Sequence, residues 1–247
     1  VVEKEFKGDI AFKDVWFAYN EPTFVLKGIN FSLSPGETVA FVGSTGAGKS
    51  SVINLLSRFY EYQKGEIIVD GDELRDIDID LIRKNVAVVL QDVFLYSDTV
   101  LNNITLGDNS ISRETVIGAS KQVGAHEFIM SLPENYDFVV GERGGMLSVG
   151  QRQLISFIRA YVYNPSILIL DEATSSIDTE SEEFIQLAIE KLTEGRTSII
   201  IAHRLSTIRK ADKIIVMDQG EIIESGSHQE LLSLDGSYKK LYDIQYS

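Results

Sequence analysis

The most informative segment of this 247-residue chain is Gly43-Ser44-Thr45-Gly46-Ala47-Gly48-Lys49-Ser50-Ser51. It fits the pattern G-x-x-x-x-G-K-[ST], and it lies between a predicted buried strand at 37–42 and a predicted helix at 50–59. Glycines let successive backbone N–H groups face one concavity, and the first turn of a helix adds partial positive charge. The segment therefore predicts a phosphate-binding loop; the alternative is a glycine-rich turn with a chance Lys-Ser pair.

Two side chains of this loop have expected roles in binding a nucleoside triphosphate. Lys49 is expected to reach the β- and γ-phosphates, and the hydroxyl of Ser50 is expected to ligate Mg²⁺. What the domain does with the nucleotide depends on residues elsewhere in the chain.

Composition and charge limit the classes of function. The length and the 44% of hydrophobic residues predict one large domain, or a core with a subdomain. The net charge of −14 argues against nucleic acid as the main partner, and the absence of cysteine excludes disulfides and thiolate metal sites. No apolar run approaches the roughly 18 residues of a membrane span. The sequence begins at Val1 without an initiator Met, so we expect a fragment of a longer polypeptide.

Polar side chains follow three predicted buried strands. Gln91 follows the strand at 86–90, Asp171 and Glu172 follow the strand at 167–170, and His203 follows the strand at 197–202. In an open α/β sheet, ligands bind at the carboxyl ends of the strands. Asp171 is therefore expected to help hold Mg²⁺, and Glu172 to polarise an attacking water. Taken singly, Gln91 is better explained as a polar residue that ends a strand, and His203 as a packed or solvated histidine.

Two further features have the chemistry of a nucleotide site. Ser148-Val149-Gly150-Gln151 is a capping-box pattern that opens a predicted helix ending near residue 163, and a helix start of this kind is a second anion-binding position. Tyr19 ends an early predicted strand, where its ring is placed either to stack on adenine or to pack at the edge of the sheet.

The predicted elements divide the chain into three parts. Antiparallel strands at 10–19 and 25–33 precede the phosphate loop and are expected to form a small β layer. Residues 95–165 are predicted to be mainly helical, with Ser112 as an N-cap. The segment from Lys213 onward is predicted to complete the sheet and pack the back of the core, without chemistry of its own.

In their order along nearly the whole chain, these motifs resemble the nucleotide-binding domain of ATP-binding cassette (ABC) transporters. The matching segments are Tyr19 (A-loop), 43–50 (Walker A), Gln91 (Q-loop), 147–151 (signature), 167–171 with Glu172 (Walker B and catalytic carboxylate), 175–178 ending in Asp178 (D-loop) and His203 (switch histidine). The signature is the discriminating motif, because most P-loop proteins share Walker A and B. It departs from the family pattern at Val149, where glycine is usual.

The resemblance implies a fold class and a set of residue roles. The fold is α/β: a P-loop NTPase with a RecA-like core, an antiparallel β subdomain on the N-terminal side and an inserted α-helical subdomain at about 95–165. Residues 1–247 then form one nucleotide-binding domain with ATP and Mg²⁺ as cofactors. The implied roles are adenine stacking by Tyr19, phosphate binding by residues 43–51, Mg²⁺ ligation by Ser50, Gln91 and Asp171, and catalysis by Glu172 with Lys49, Gln91 and His203.

The resemblance also implies a second nucleotide-binding domain as partner, identical or different. In the family, two such domains dimerise head to tail and share each ATP. Ser148, Gly150, Gln151 and Asp178 are then expected to contact the nucleotide held by the other domain's phosphate loop.

The sequences that begin at Gln91 and at Gly141-Glu142-Arg143-Gly144-Gly145 look similar to those of exporter-type cassettes. This implies that the two regions contact a transmembrane domain upstream on the same polypeptide. It further implies a location at the cytoplasmic face of the cell membrane, where ATP hydrolysis powers export.

Three other functions fit parts of the pattern. A DNA-repair or chromosome-organising ATPase usually carries a long coiled coil between the phosphate loop and the signature, and residues 49–147 contain no heptads. A ribosome-associated cassette usually has two cassettes and a basic surface. A regulatory cassette binds ATP without turnover, a function that intact Glu172 and His203 disfavour.

Overall fold

The structure is a computed structural model that describes residues 6–172 and 179–246, and these form two compact units. The first unit contains the described residues of 1–88, 166–172 and 195–247, and the second contains those of 89–165 and 173–194. Every helix within these described ranges is too short or too polar to span a membrane.

The described residues form ten strands and ten α-helices. The strands are β1 (Ile10–Phe17), β2 (Leu26–Leu33), β3 (Thr38–Val42), β4 (Lys64–Val69), β5 (Asp72–Glu73), β6 (Val86–Val89), β7 (Ile167–Asp171), β8 (Thr197–Ile201), β9 (Lys213–Asp218) and β10 (Glu221–Gly226). The helices are α1 (Lys49–Leu56), α2 (Ile79–Asn85), α3 (Val100–Thr105), α4 (Arg113–Val123), α5 (His126–Ser131), α6 (Val149–Val162), α7 (Thr179–Thr193), α8 (Leu205–Lys210), α9 (His228–Ser233) and α10 (Ser237–Tyr246).

The N-terminal strands form an antiparallel sheet in the order β2-β1-β4-β5, which confirms the predicted β layer. Phe12 of β1 pairs with Phe31 of β2, and their rings stack with centroids 4.4 Å apart. The alternation of buried and exposed residues in β1 is interrupted at Asp14, which has a φ of 46° beside a shift in register. This β-bulge returns Val15 and Phe17 to the buried face of the sheet.

The second sheet has six strands in the order β10-β9-β3-β8-β7-β6. β3 pairs in parallel with β8 on one side and with β9 on the other, and β7 pairs in parallel with β8. The central strands are almost wholly buried, because helices and strands cover both faces of such a sheet. The predicted α/β class, with its antiparallel sheet and helical portion, is thereby confirmed.

Two predicted element boundaries were wrong. Helix α1 ends at Leu56, because Arg58 adopts a left-handed φ of 52° and turns Phe59 outward to 63% exposure. The apolar run at 86–90 was predicted as a fully buried strand, but β6 lies at the edge of its sheet and ends at Val89.

The second unit is built mainly of helices. Helix α6 contacts α3, α4 and α7 and therefore lies at the centre of this unit. Its start is a complete capping box: Ser148 Oγ accepts from the Gln151 N–H, and Gln151 Oε1 accepts from the Ser148 N–H. Ser112 caps α4 in the same region. Both helix starts were predicted from the sequence.

Candidate nucleotide-binding site

The phosphate loop connects β3 to α1 and needs glycine at its ends. Gly43 has a φ of 145°, and a Cβ there would lie 2.2 Å from the carbonyl oxygen of Met217 in β9. Gly48 has a φ of 105°, and a Cβ there would lie 2.8 Å from Leu26 Cδ2. The loop therefore turns tightly against neighbouring strands, and its backbone comes closer to them than any side chain would permit.

Lys49, the first residue of α1, lies against the loop that precedes it. Its ammonium donates to the carbonyl oxygens of Gly43 at 2.6 Å and Ser44 at 2.8 Å, and the residue is only 8% exposed. Burial lowers the pKa of the Lys49 ammonium, and the negative charge of Asp171 partly opposes this shift. A desolvated cation within reach of the loop attracts phosphate more strongly than one in water does.

The two acidic residues at the end of β7 have different surroundings. Asp171 is the last residue of the strand and is half-buried. Glu172 is 1% exposed, and its carboxylate accepts hydrogen bonds from the backbone N–H groups of His203 at 2.9 Å and Arg204 at 3.1 Å. The hydroxyl of Thr207 in α8 donates a third, short hydrogen bond to Glu172 Oε1.

His203 follows β8 and lines a small cavity together with Val42, Gly43 and Ala202. Burial lowers the pKa of His203 below its ordinary value of 6.5, and the positive charge of Lys49 lowers it further. The imidazole is therefore neutral near pH 7, with one nitrogen that donates and one that accepts hydrogen bonds.

The C-terminal helix α10 contributes to the same cavity, which the sequence did not predict. Tyr238, Leu241 and Tyr242 line it together with His203 and Gly43. The prediction that the segment from Lys213 onward completes the sheet is confirmed by β9 and β10, whereas the predicted position at the back of the core is wrong for α10. Helix α10 folds back over the carboxyl ends of the central strands, and Tyr238 is held there by a hydrogen bond of 2.7 Å to His228 Nδ1.

Tyr19 lies just beyond β1 and is 42% exposed. Its hydroxyl accepts from Asn54 Nδ2 at 2.8 Å and lies 3.2 Å from Ser51 Oγ, both on helix α1. Its ring meets Phe17 and Tyr60 edge-on, with centroids 4.7 and 4.9 Å away. The aromatic ring is thus fixed relative to the helix that starts at the phosphate loop, while part of the residue remains accessible.

The remaining predicted site residues fall in the second unit. Ser148 is exposed at the start of α6, Gly150 is buried and Gln151 completes the capping box. Gln91 is half-buried in the segment after β6, and the sequence 141–145 contains a single 3-10 turn. Asp178 lies outside the described residues.

Five predicted residues are brought together by neighbouring strands of the first unit. Parallel strands β3, β8 and β7 have their carboxyl ends at the same edge of the sheet. The residues that follow these strands are Lys49 and Ser50 after β3, Asp171 and Glu172 at β7, and His203 after β8.

The donor chemistry of the first unit fits a magnesium ion that is bound with a nucleotide. No group of three or more His, Asp or Glu side chains in the described ranges forms a metal cage by itself. Mg²⁺ in nucleotide sites is held by one or two protein groups, by water and by phosphate oxygens. The hydroxyl of Ser50 and the carboxylate of Asp171 are hard oxygen ligands of this kind.

Sequence reasoning missed Thr207, Asn54, Tyr60 and the tyrosines of α10. Thr207 lies four residues after His203, and Asn54 lies five residues after Lys49. This spacing is weak evidence for a role in the site, because many polar residues lie as close to a motif. Nothing in the local sequence of α10 indicates contact with a segment almost two hundred residues earlier.

Comparison with known proteins agrees with this geometry. The profile of the ABC transporter family matches residues 26–175. The chain is 49% identical over 238 residues to a probable multidrug resistance ABC transporter ATP-binding/permease protein, YheH, of Bacillus subtilis, covering 96% of this chain and 35% of that protein. It is also 49% identical over 241 residues to an ATP-dependent lipid A-core flippase of Saccharophagus degradans, covering 98% of this chain and 41% of that protein.

A solved structure is similar over the same extent. It is that of a bacterial Atm1-family ABC exporter with ATP bound, which superposes with a TM-score of 0.90 at 40% identity. The match covers 97% of this chain and 42% of the exporter. The chain thus spans 35–42% of the length of these three proteins.

Proposed function

Because this chain belongs to the ABC transporter family and is an ATPase domain of that family, we propose that it powers export across a membrane by Mg²⁺-dependent hydrolysis of ATP. The observation that carries the proposal is the convergence of Lys49, Asp171, Glu172 and His203 at the carboxyl ends of three adjacent strands. These residues provide a cation, two carboxylates and a neutral imidazole at one phosphate loop.

Phosphate binding is assigned to the loop and to Lys49. The backbone N–H groups of residues 43–51 and the first turn of α1 supply donors to the phosphates. Lys49 exchanges its loop carbonyl acceptors for phosphate oxygens, and it neutralises charge that accumulates during transfer of the γ-phosphoryl group.

Recognition of adenine is assigned to the ring of Tyr19. Base–aromatic stacking needs an accessible ring in a fixed position, and Tyr19 is partly exposed and held by a hydrogen bond and ring contacts. Because its hydroxyl is bonded to α1, the ring keeps a set distance from the phosphate loop, which suits a ligand with both a base and a triphosphate.

Glu172 is assigned to the attacking water and His203 to the γ-phosphate. When bound, Mg²⁺ would be held by Ser50 and Asp171, with Gln91 as a further proposed ligand, and would offset phosphate charge. Glu172 orients the water or removes its proton, and the neutral His203 donates a hydrogen bond to a phosphate oxygen.

We infer that a second nucleotide-binding domain completes the site. The capped start of α6 presents the exposed Ser148, with the N–H of Gly150 in the first turn of the same helix, and such a helix start is suited to bind phosphate held by the other domain. Gln151 and Asp178 are assigned to the same contact. Dimerisation and ATP binding then form one linked equilibrium, which hydrolysis of the γ-phosphate reverses.

The exporter assignment comes from the relatives. YheH is described as an ATP-binding/permease protein, the lipid A-core protein as a flippase and the Atm1-family protein as an exporter. We propose that residues 1–247, with a helical subdomain at about 95–165, form the cytoplasmic part of a similar transporter. Gln91 and the sequence 141–145 are the proposed contacts with its transmembrane domain.

The test removes one carboxylate and measures phosphate release. Glu172→Gln should retain ATP binding while turnover falls by roughly 10²–10⁴-fold, the usual scale for acid–base catalysis. Glu221→Gln is the matched control, because it removes the same charge from an exposed position on β10. A wild-type rate in Glu172→Gln would show that this carboxylate does not act on the water, and absence of turnover in the unmodified chain with ATP bound would favour a regulatory cassette.

A further inference from the structure

The carboxylate of Glu172 is the most completely enclosed acidic group of the proposed site. It is 1% exposed and accepts three hydrogen bonds. One oxygen, Oε2, accepts from the backbone N–H groups of His203 and Arg204, and the other, Oε1, accepts from the Thr207 hydroxyl. All three donors belong to α8 or to the turn that leads into it, and Thr207 is itself buried.

This arrangement is unsuited to activating a water molecule. A carboxylate has about four lone-pair positions for hydrogen bonds, and three are occupied by protein donors. With almost no exposed surface, Glu172 cannot approach a solvent molecule unless its side chain rotates. Rotation requires that at least one of the three hydrogen bonds break.

The hydrogen bond from Thr207 is the one that can break with least rearrangement. The two backbone donors move only if the turn after β8 moves, whereas a hydroxyl rotates about one side-chain bond. A threonine on a helix also has alternative acceptors in the backbone carbonyls three and four residues earlier. Here those carbonyls belong to Arg204 and His203, so a released hydroxyl need not remain unpaired.

We propose that Thr207 is a positioning residue that holds Glu172 in a resting orientation, and that turnover requires the Thr207–Glu172 hydrogen bond to break. The inference rests on the proposed function, because it assumes that Glu172 acts on the attacking water. Thr207 acts through its hydrogen bond to the Glu172 carboxylate. It sets the fraction of chains in which Glu172 is free to turn toward the phosphate loop.

The structure also indicates how the nucleotide would favour release. His203 supplies a backbone donor to Glu172 through its N–H, while its side chain faces the cavity beside Gly43. A phosphate that hydrogen-bonds the imidazole therefore acts on the same turn that holds the carboxylate. Binding of ATP and release of Glu172 are coupled through this one residue.

The test compares two substitutions in the 247-residue chain by steady-state phosphate release. Thr207→Val keeps the shape of the side chain and removes the hydroxyl, so basal kcat should rise about three- to tenfold while KM for ATP stays within about twofold. Thr207→Ser keeps the hydroxyl and should restore the wild-type kcat. Thr193→Val is the matched control, because the Thr193 hydroxyl bonds carbonyls of its own helix α7.

A double-mutant cycle separates this effect from a general change in packing. On the Glu172→Gln background, Thr207→Val should leave the residual rate unchanged, because the carboxylate on which it acts is gone. An unchanged or lower kcat in Thr207→Val would overturn the proposal. An equal rise in kcat when Thr207→Val is added to Glu172→Gln would overturn it as well. Thermal unfolding checks that each variant folds, and Thr207→Ala replaces Thr207→Val if the valine variant does not.

The cycle also distinguishes failure of this inference from failure of the proposed function. A wild-type rate in Glu172→Gln alone contradicts the role of Glu172 in hydrolysis. A large loss of rate in Glu172→Gln, combined with no rise in Thr207→Val, contradicts only the resting orientation proposed for Thr207.

Discussion

Replacing Gly43 with alanine is expected to weaken ATP binding by at least about tenfold, because the first residue of the phosphate loop has no room for a methyl group. A Cβ there would lie 2.2 Å from the carbonyl oxygen of Met217, whereas ordinary contact begins near 3.4 Å. Either the loop or β9 must therefore move by about 1.2 Å, the difference between 3.4 and 2.2 Å. The φ of 145° adds backbone strain for any residue with a side chain.

The size of the effect follows from displacement of the loop. Backbone strain of this kind costs about 1–3 kcal/mol, which favours movement of the loop. Its backbone N–H groups, which are proposed to bind the phosphates, then move with it. A hydrogen bond to a charged group contributes about 1.5–3 kcal/mol. Loss of about 1.4 kcal/mol in binding free energy corresponds to tenfold in Kd, so loss of one hydrogen bond from the loop to phosphate reaches the predicted change.

The assay is titration with a fluorescent ATP analogue, together with urea denaturation of the free protein. Gly36→Ala is the matched control: its φ is 80° and a Cβ there meets no atom within 4 Å, so only local strain in the turn before β3 is expected. An affinity for Gly43→Ala within twofold of that of Gly36→Ala would refute the reasoning from close approach.

Two more predictions concern the base and the second domain. Tyr19→Phe and Asn54→Ala each remove the hydrogen bond between uncharged groups that fixes the Tyr19 ring to α1. Both variants should bind ATP about two- to tenfold more weakly, as measured by nucleotide titration, and should keep the wild-type kcat, as measured by phosphate release. Unchanged affinity in both variants would mean that the aromatic neighbours alone hold the ring. Ser148→Ala and Ser227→Ala each remove a capping-box hydroxyl and should each lower the unfolding free energy by about 1 kcal/mol. Only Ser148→Ala should reduce ATP-dependent dimerisation, measured by sedimentation with Glu172→Gln present, and equal dimer fractions would contradict its proposed role.

The parts of the site that the sequence predicted are those built from short segments. The phosphate loop follows from nine consecutive residues, because the turn, its glycines and the start of α1 are all local. The acidic residues at the end of β7 were predictable because a wholly apolar run ends abruptly in two charges. The helix start at Ser148 was predictable because a capping box involves residues only three apart.

The parts that the sequence did not predict depend on contacts between distant segments. Thr207 reaches Glu172 only because β7 and β8 pair so that Asp171 lies beside Ile201, and no local pattern specifies that register. The position of α10 beside Gly43 depends on packing across the sheet. The predicted end of β6 was wrong because an apolar run does not show whether its strand lies at the centre or the edge of a sheet.

The central position of β3 has a consequence for synthesis of the chain. Thr38 pairs with Ser198 and Val39 with Lys213, so both neighbours of β3 are synthesised at least 160 residues later (198 minus 38). At about 5–20 residues per second, this apolar strand waits roughly 8–32 s on the ribosome before either partner exists. During that interval its backbone groups are unpaired, and the strand is open to association with other chains. The strand that carries the phosphate loop therefore waits far longer for a partner than β1, whose partner β2 follows it directly in the chain.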